Sequence, residues 1–326
     1  MLEVKDLTKD YGPRRAIDHL NFKVNKGEVV GFLGPNGAGK STTMKIITGF
    51  MAPSSGQASV AGFDVFENPL EVKRRIGYLP ETPPLYGDMF VADYLSYVAE
   101  LKMVTKERRG ALVAAAIEKT NLGDVRHRLI NNLSKGFRQR VGIAQAIVSD
   151  PEVLILDEPT VGLDPKQVAE IRDLINGLRG QHTIILSTHI LPEVQALCER
   201  IIIIHQGKIV AEDSIENLAH MGASHSRLHL RVRKDVEDLR KVLNAQQGLL
   251  KVERGHSGRD WIVEVESSDE AISNVASSVV QQGLGLLEMS QVKVDLEDVF
   301  LKLTYGDKHG ARAMDPRGHQ VDRKGV

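Results

Sequence analysis

The chain has 326 residues, more than one compact domain uses and about enough for two. Its 42 lysines and arginines against 43 aspartates and glutamates leave a net charge of -1, which argues against wholesale nucleic-acid wrapping. The single cysteine, Cys198, excludes a disulfide framework and a thiolate-cluster metal site and fits a reducing cytoplasm. No apolar run nears the roughly 18 residues of a membrane span, and the start Leu2-Glu3-Val4-Lys5 alternates like a strand rather than a secretory leader.

In chain order, Val29 to Leu33 is an apolar run that ends in a glycine-rich turn, followed by a helical stretch from Lys40 to about Thr48. Between about 85 and 149 the pattern turns helical. Val91 to Met103 places Tyr94, Leu95, Val98 and Leu101 on one face, and Ala111 to Thr120 and Gly136 to Val148 read the same way. Further apolar runs follow at Val153 to Leu156, Thr183 to Ser187 and Ile201 to Ile204. Runs without polar alternation predict strands covered on both faces, as in a parallel sheet, so residues 1–220 read as an α/β domain with a helical insert. Ala219 to Ser226 reads as a linker.

Residues 226–305 read as a second, α+β domain. Strands are predicted at Leu228 to Val232, Leu250 to Glu253, Trp261 to Val265 and Gly285 to Val294. Helices are predicted at Val236 to Leu243, Glu270 to Gln281 and Leu296 to Leu303. The order β-α-β-β-α-β is that of a small ferredoxin-like module. His229, His256 and Asp260 stand too far apart in sequence to suggest a metal site. Residues 306–326 are too polar to bury a core, and a disordered tail is expected.

Two stretches carry chemistry. Gly34-Pro35-Asn36-Gly37-Ala38-Gly39-Lys40-Ser41 matches the phosphate-cradle pattern G-x-x-x-x-G-K-[ST] between a strand and a helix. Its glycines let successive N–H groups turn toward phosphate oxygens, and the helix start adds its positive end. Lys40 is expected at the terminal phosphates, Ser41 on Mg²⁺ and Thr42 on a further phosphate oxygen. Asp157 and Glu158 close an apolar strand at its carboxyl end, where ligands of open α/β sheets sit. Asp157 is expected to orient Mg²⁺, and Glu158 to act as general base on the attacking water.

Leu133-Ser134-Lys135-Gly136-Phe137-Arg138-Gln139-Arg140 resembles the signature loop of the ATP-binding-cassette (ABC) ATPases, and the resemblance covers about residues 2–215. Ser134 also reads on its own as a helix N-cap. The resemblance implies a P-loop fold, ATP and Mg²⁺ as ligands, and two head-to-tail cassettes. Each ATP is then held between one cradle and the Ser134 and Gly136 of a partner, which we expect to be identical. It further implies that Tyr11 stacks on adenine, that Asp164 lies in a loop communicating across the dimer, and that His189 contacts the γ-phosphate. Glu81, in Gly77-Tyr78-Leu79-Pro80-Glu81, stands where the family usually has glutamine. It keeps an oxygen for Mg²⁺ or water but adds a charge. Lys135 and Phe137 replace the family's commonest glycine and glutamine, while Ser134 and Gly136 are retained.

The expected role is therefore the ATPase subunit of a transporter, working with a separate membrane permease and held peripherally on the inner face of the cell membrane. In the family, the hinge around Pro83-Pro84-Leu85-Tyr86 receives the permease's cytoplasmic helix. Gly77 to Glu81 together with the ending Leu296 to Thr304 resemble an exporter branch with gliding-motility, sodium-efflux and drug-export members. The alternative is an ABC ATPase acting on nucleic acid or the ribosome. About fifty residues between Glu81 and Leu133 leave no room for a long coiled coil, one cassette replaces the usual two, and the charge is neutral, so no nucleic-acid partner is expected. A phosphotransferase using the same cradle is disfavoured by the signature loop.

Overall fold

The apolar runs of the first two thirds form a buried parallel sheet in the computed structural model, which describes residues 1–221, 225–234, 237, 239–243, 248–255, 257–266, 268–292 and 296–305. The chain divides into two units, Met1–Ile215 and Glu216–Val326. In the first, β1 (Leu2–Tyr11) and β2 (Arg14–Val24) form a hairpin. Its two-residue turn begins at Gly12, whose φ of 59° has the positive sign such a turn demands. β3 (Val29–Leu33) leads through the glycine-rich loop into α1 (Lys40–Ile47). Next come β4 (Ser55–Val60), β5 (Phe63–Asp64), α2 (Pro69–Arg75) and β6 (Ile76–Leu79). The helical stretch holds α3 (Val91–Leu101), α4 (Lys106–Lys119) and α5 (Lys135–Ile147). β7 (Val153–Asp157), α6 (Pro165–Gly177), β8 (Thr183–Thr188), α7 (Leu191–Leu197), β9 (Arg200–His205) and β10 (Lys208–Ser214) complete it, and α8 (Ile215–Met221) starts at its boundary.

Strand order in the larger sheet is β10-β9-β3-β8-β7-β6, with β9 through β6 parallel and β10 an antiparallel edge. Every residue of β3, β7 and β8 is buried, the outcome expected of strands covered on both faces. The sequence pattern predicts β3, β7, β8 and β9 of this sheet. Of a second, antiparallel sheet of order β2-β1-β4-β5 it marks only the alternating start of β1, Leu2 to Lys5, because register shifts further along β1 break the alternation a half-buried strand would show. One core joins the layers: Leu7, Leu20 and Phe22 meet Phe32 of β3 and Met44, Ile46 and Ile47 of α1, with Phe22 and Phe32 ring centres 5.5 Å apart.

The second unit contains β11 (His225–Val232), α9 (Leu239–Leu243), β12 (Leu249–Arg254), β13 (Asp260–Glu266), α10 (Asp269–Gln281), β14 (Leu286–Val292) and α11 (Leu296–Tyr305). The antiparallel order β12-β13-β11-β14 is that of the split βαβ module. Alternation explains its core. Leu228, Leu230 and Val232 of β11 and Trp261, Val263 and Val265 of β13 pack against Leu239, Leu243, Val275 and Val279 of α9 and α10.

Three boundaries differ from the sequence expectation. α4 begins at Lys106 rather than Ala111, because Thr105 precedes a charged first turn that carries no apolar signal. The described part of the helix expected over Val236 to Leu243 is α9 alone. The expected linker Ala219 to Ser226 is largely structured, since α8 runs to Met221 and β11 starts at His225. The expected tail, 306–326, lies outside the described residues.

Candidate functional site

The turn after β3 is shaped by backbone conformations few side chains tolerate. Gly37 and Gly39 have φ of 79° and 114°, and a Cβ on Gly39 would sit 2.9 Å from the Ala16 carbonyl oxygen. Gly39 is also the N-cap of α1. Lacking a side-chain cap, it leaves the first-turn N–H groups available to an anion. Lys40 is folded back over the loop: its Nζ donates to the carbonyls of Gly34 at 2.8 Å and Pro35 at 3.3 Å and lies 3.4 Å from Glu158 Oε1. Both side chains are almost fully buried. With both side chains removed from water in this way, each is the other's partner, and truncating one would strand the other.

Asp157 and Glu158 sit at the end of β7. The Asp157 carboxylate accepts a hydrogen bond from Ser187 Oγ of β8 at 2.7 Å, and the Ser41 hydroxyl lies nearby. Burial pushes its pKa up, an effect opposed by those two hydroxyls and reinforced by the charges of Glu158 and Glu81. Glu158 has φ of 50°, a left-handed conformation costly for a side-chain-bearing residue. His189, just beyond β8, places Nδ1 2.9 Å from Glu158 Oε2 and 3.0 Å from Oε1.

Tyr11, Asn36, Gly37, Gly39, Lys40, Ser41, Thr42, Glu81, Glu158 and His189 line one cavity of about 710 Å³. Ala38 lies in the same loop with its side chain buried, and Asp157 stands behind Ser41. The Tyr11 ring is exposed enough to stack and has the Lys9 ammonium 5.5 Å from its centre. Arg14, Ala16 and Val161 also line the cavity. They escape sequence reasoning because the β1–β2 hairpin brings Arg14 and Ala16 there, and no motif marks a hairpin's landing point.

The donor atoms suit a hard cation: the Ser41 hydroxyl and the Asp157 and Glu81 carboxylates are all oxygen. Among the described residues, no group of three His, Cys, Asp or Glu side chains can hold a metal by itself. Ser41, Asp157 and Glu81 are the residues that would hold a hard cation such as Mg²⁺ here. In the second unit, His229 and Asp260 approach to 3.9 Å despite their sequence separation. They form an ordinary cross-strand pair on β11 and β13, with no third ligand among the described residues.

Ser134, Gly136 and Asp164 are not among the residues lining the cavity. Ser134 caps α5, its Oγ accepting from Phe137 N, and Asp164 caps α6, accepting from Gln167 N at 2.9 Å with Pro165 in the first turn. The two caps belong to neighbouring loops. A Cβ on Gly136 would meet the Gln167 side chain at 2.6 Å, and the Lys135 ammonium lies against Gly162. α5 is also tied to the acidic turn, since Gln139 Nε2 donates to the Pro159 carbonyl at 2.7 Å. A further network escapes the sequence motifs altogether: Thr160, Thr188 and Glu193 are buried together behind Glu158.

The family profile described as ABC transporter matches residues 17–161, from β2 through the acidic turn. The bacitracin transport ATP-binding protein BcrA of Bacillus licheniformis is 33% identical over 312 residues, which cover 95% of this chain and 99% of BcrA. A solved structure described as the ATP-binding subunit of an ABC transporter matches with TM-score 0.63 and 31% identity, over 68% of this chain and 93% of that one. The dimeric, post-hydrolysis structure of the ATP-binding cassette MJ0796 bound to ADP and Pi matches with TM-score 0.60 and 25% identity, over 66% of this chain and 99% of that one.

Proposed function

Because the chain belongs to the ABC transporter family of ATP-binding proteins, we propose that it hydrolyses ATP as a head-to-tail pair of cassettes to drive a separate membrane-spanning partner. ATP binding and hydrolysis are the activity of the family to which it belongs. In our reading, the loop of Asn36, Gly37, Ala38 and Gly39 receives the phosphates on its N–H groups, and Lys40 and Thr42 add a cation and a hydroxyl. Tyr11 offers its ring to the base. Ser41, Asp157 and Glu81 would hold Mg²⁺, which when bound supplies positive charge to the phosphate oxygens. Glu158 takes the proton of the attacking water, and His189, 2.9 Å away, steadies its carboxylate beside the γ-phosphate position.

The observation that carries the dimer is the split between two sets of residues. One set surrounds the cavity, while Ser134, Gly136 and Asp164, on the capped starts of α5 and α6, stand apart from it in the same chain. A helix start suits a phosphate, so the second copy's Ser134 and Gly136 complete the pocket. MJ0796, a dimeric cassette bound to ADP and Pi, supports a pairing of two cassettes.

A separate permease is proposed from the family. Among the described residues no helix is long and apolar enough to cross a membrane. The surface offered to it follows the hinge: Tyr86, Phe90 and Tyr97 are exposed, and the Tyr86 ring centre lies 5.7 Å from Tyr97 and 5.9 Å from Tyr94. Exposed aromatics of this kind are common at protein interfaces. The resemblance to a bacitracin transport protein supports export, with the chain held at the inner membrane face through its partner.

One variant tests the reading. Glu158→Gln should retain ATP, lose turnover by about 100-fold or more and accumulate an ATP-bound dimer, seen as a doubled mass in solution. Parent-rate release of inorganic phosphate would overturn the general-base assignment, and an ATP-loaded monomer would overturn the paired pocket.

A further inference from the structure

Behind the site lies a carboxylate that nothing above employs. Glu193, in the first turn of α7, is 1% exposed. Burying a carboxylate costs several kcal/mol unless it is paired or well hydrogen-bonded, and among the described residues no ion pair forms with Glu193. Its partners are two hydroxyls. Thr160 Oγ1 donates to Oε1, and Thr188 Oγ1 lies 2.9 Å from Oε2. These threonines bracket the chemistry, because Thr160 is two residues beyond Glu158 and Thr188 directly precedes His189.

Thr188 is the decisive member. Its Oγ1 lies 2.9 Å from Glu193 Oε2 and 3.3 Å from Glu158 Oε2, and it accepts the Ile190 N–H at 3.1 Å. A hydroxyl has one proton to give, so only one of the two carboxylates can receive it. The shorter distance directs it to Glu193. Glu158 Oε2 is then left to His189, with a lone pair free for water.

We propose that Glu193 is a positioning residue for ATP hydrolysis: it holds the Thr188 hydroxyl off Glu158 and, through Thr160, pins the turn carrying Glu158 to the helix that follows His189. The inference rests on the reading of Glu158 as general base. Glu193 does not line the cavity and acts through the two threonines.

The test uses the full chain. Glu193→Gln keeps the shape and the burial but has one acceptor oxygen for two hydroxyls, which frees the Thr188 proton for Glu158. Turnover should fall by about tenfold or more, since a general base contributes on the order of 100-fold upward and here is weakened rather than removed. The KM for ATP should stay within about twofold and the unfolding midpoint close to that of the parent, because a neutral amide is cheaper to bury than a carboxylate. A merely structural role predicts the reverse, a shifted midpoint with parent turnover, and that result would overturn the proposal. Thr188→Val, made alone and together with Glu193→Gln, checks the route. If Glu193 acts by holding the Thr188 hydroxyl off Glu158, Thr188→Val removes the competing proton and the double variant turns over faster than Glu193→Gln alone, whereas independent, multiplying losses refute it. A parent chain that releases no phosphate from ATP would sink the ATPase reading itself. A working parent with an indifferent Glu193→Gln sinks only this inference.

Discussion

The end of the parallel sheet and the open face of the C-terminal sheet both gather charge, and they use it in opposite ways. At the first, Lys40, Asp157, Glu158 and Glu193 are each no more than 6% exposed and are held by hydroxyls, carbonyls and one another. At the second, Arg227 faces Glu264 at 3.0 Å and Arg231 faces Glu288 at 3.0 Å, pairs that remain in contact with water. Water screens the second set and leaves it worth little, while the first sits where each charge depends on its neighbours. Charge excluded from water marks the chemistry; charge paired across an open sheet marks a surface.

The contrast can be broken at its strong end by Lys40→Ala. That change strips the cradle of its cation and leaves Glu158 buried beside a neutral side chain. ATP turnover should become undetectable and ATP binding should weaken at least about 100-fold, the larger part of a buried charge contact; nucleotide titration and phosphate release check both. Lys102 tests an intermediate case. Its ammonium donates to the Lys73 and Ile76 carbonyls at 2.9 and 2.8 Å, and burial, aided by the Lys73 charge, pushes its pKa down to about 8 from an ordinary 10.5. Between those two values the unfolded chain binds a proton that the folded chain does not, so this group's contribution to stability rises with pH and is lost as pH falls through about 8. Denaturant unfolding at pH 8 and pH 10 should show the parent gaining about 1–3 kcal/mol relative to Lys102→Met. At the weak end, Arg231→Ala should cost less than about 1 kcal/mol of stability and leave ATP turnover unchanged. A large loss there would show that the C-terminal ion pairs carry more than surface solvation.

Much of the site is legible in the residues because its chemistry is local. The cradle needs Gly37, Gly39, Lys40 and Ser41 in one unbroken run, and Asp157 and Glu158 follow directly on an apolar strand. Ser134 is recognisable as a cap because a cap is read within three residues, whereas the Asp164 cap of α6 emerges only in the structure. Arg14 and Glu193 carry no such signature. A hairpin in an unpredicted sheet delivers the first, and the second is one acid among 43 until burial singles it out.

The order of residues alone determined which segments become buried strands, where the glycine-rich loop meets a helix start and which two acids stand at the strand end. Only the tertiary structure decided that Thr160, Thr188 and Glu193 meet behind Glu158, that a second sheet closes over α1, and that Ser134 and Gly136 do not line their own chain's cavity. The reason is physical. Backbone turns, caps and periodicity act over a few residues, whereas burial and the sharing of one hydroxyl proton between two carboxylates arise only when segments about thirty residues apart are packed together.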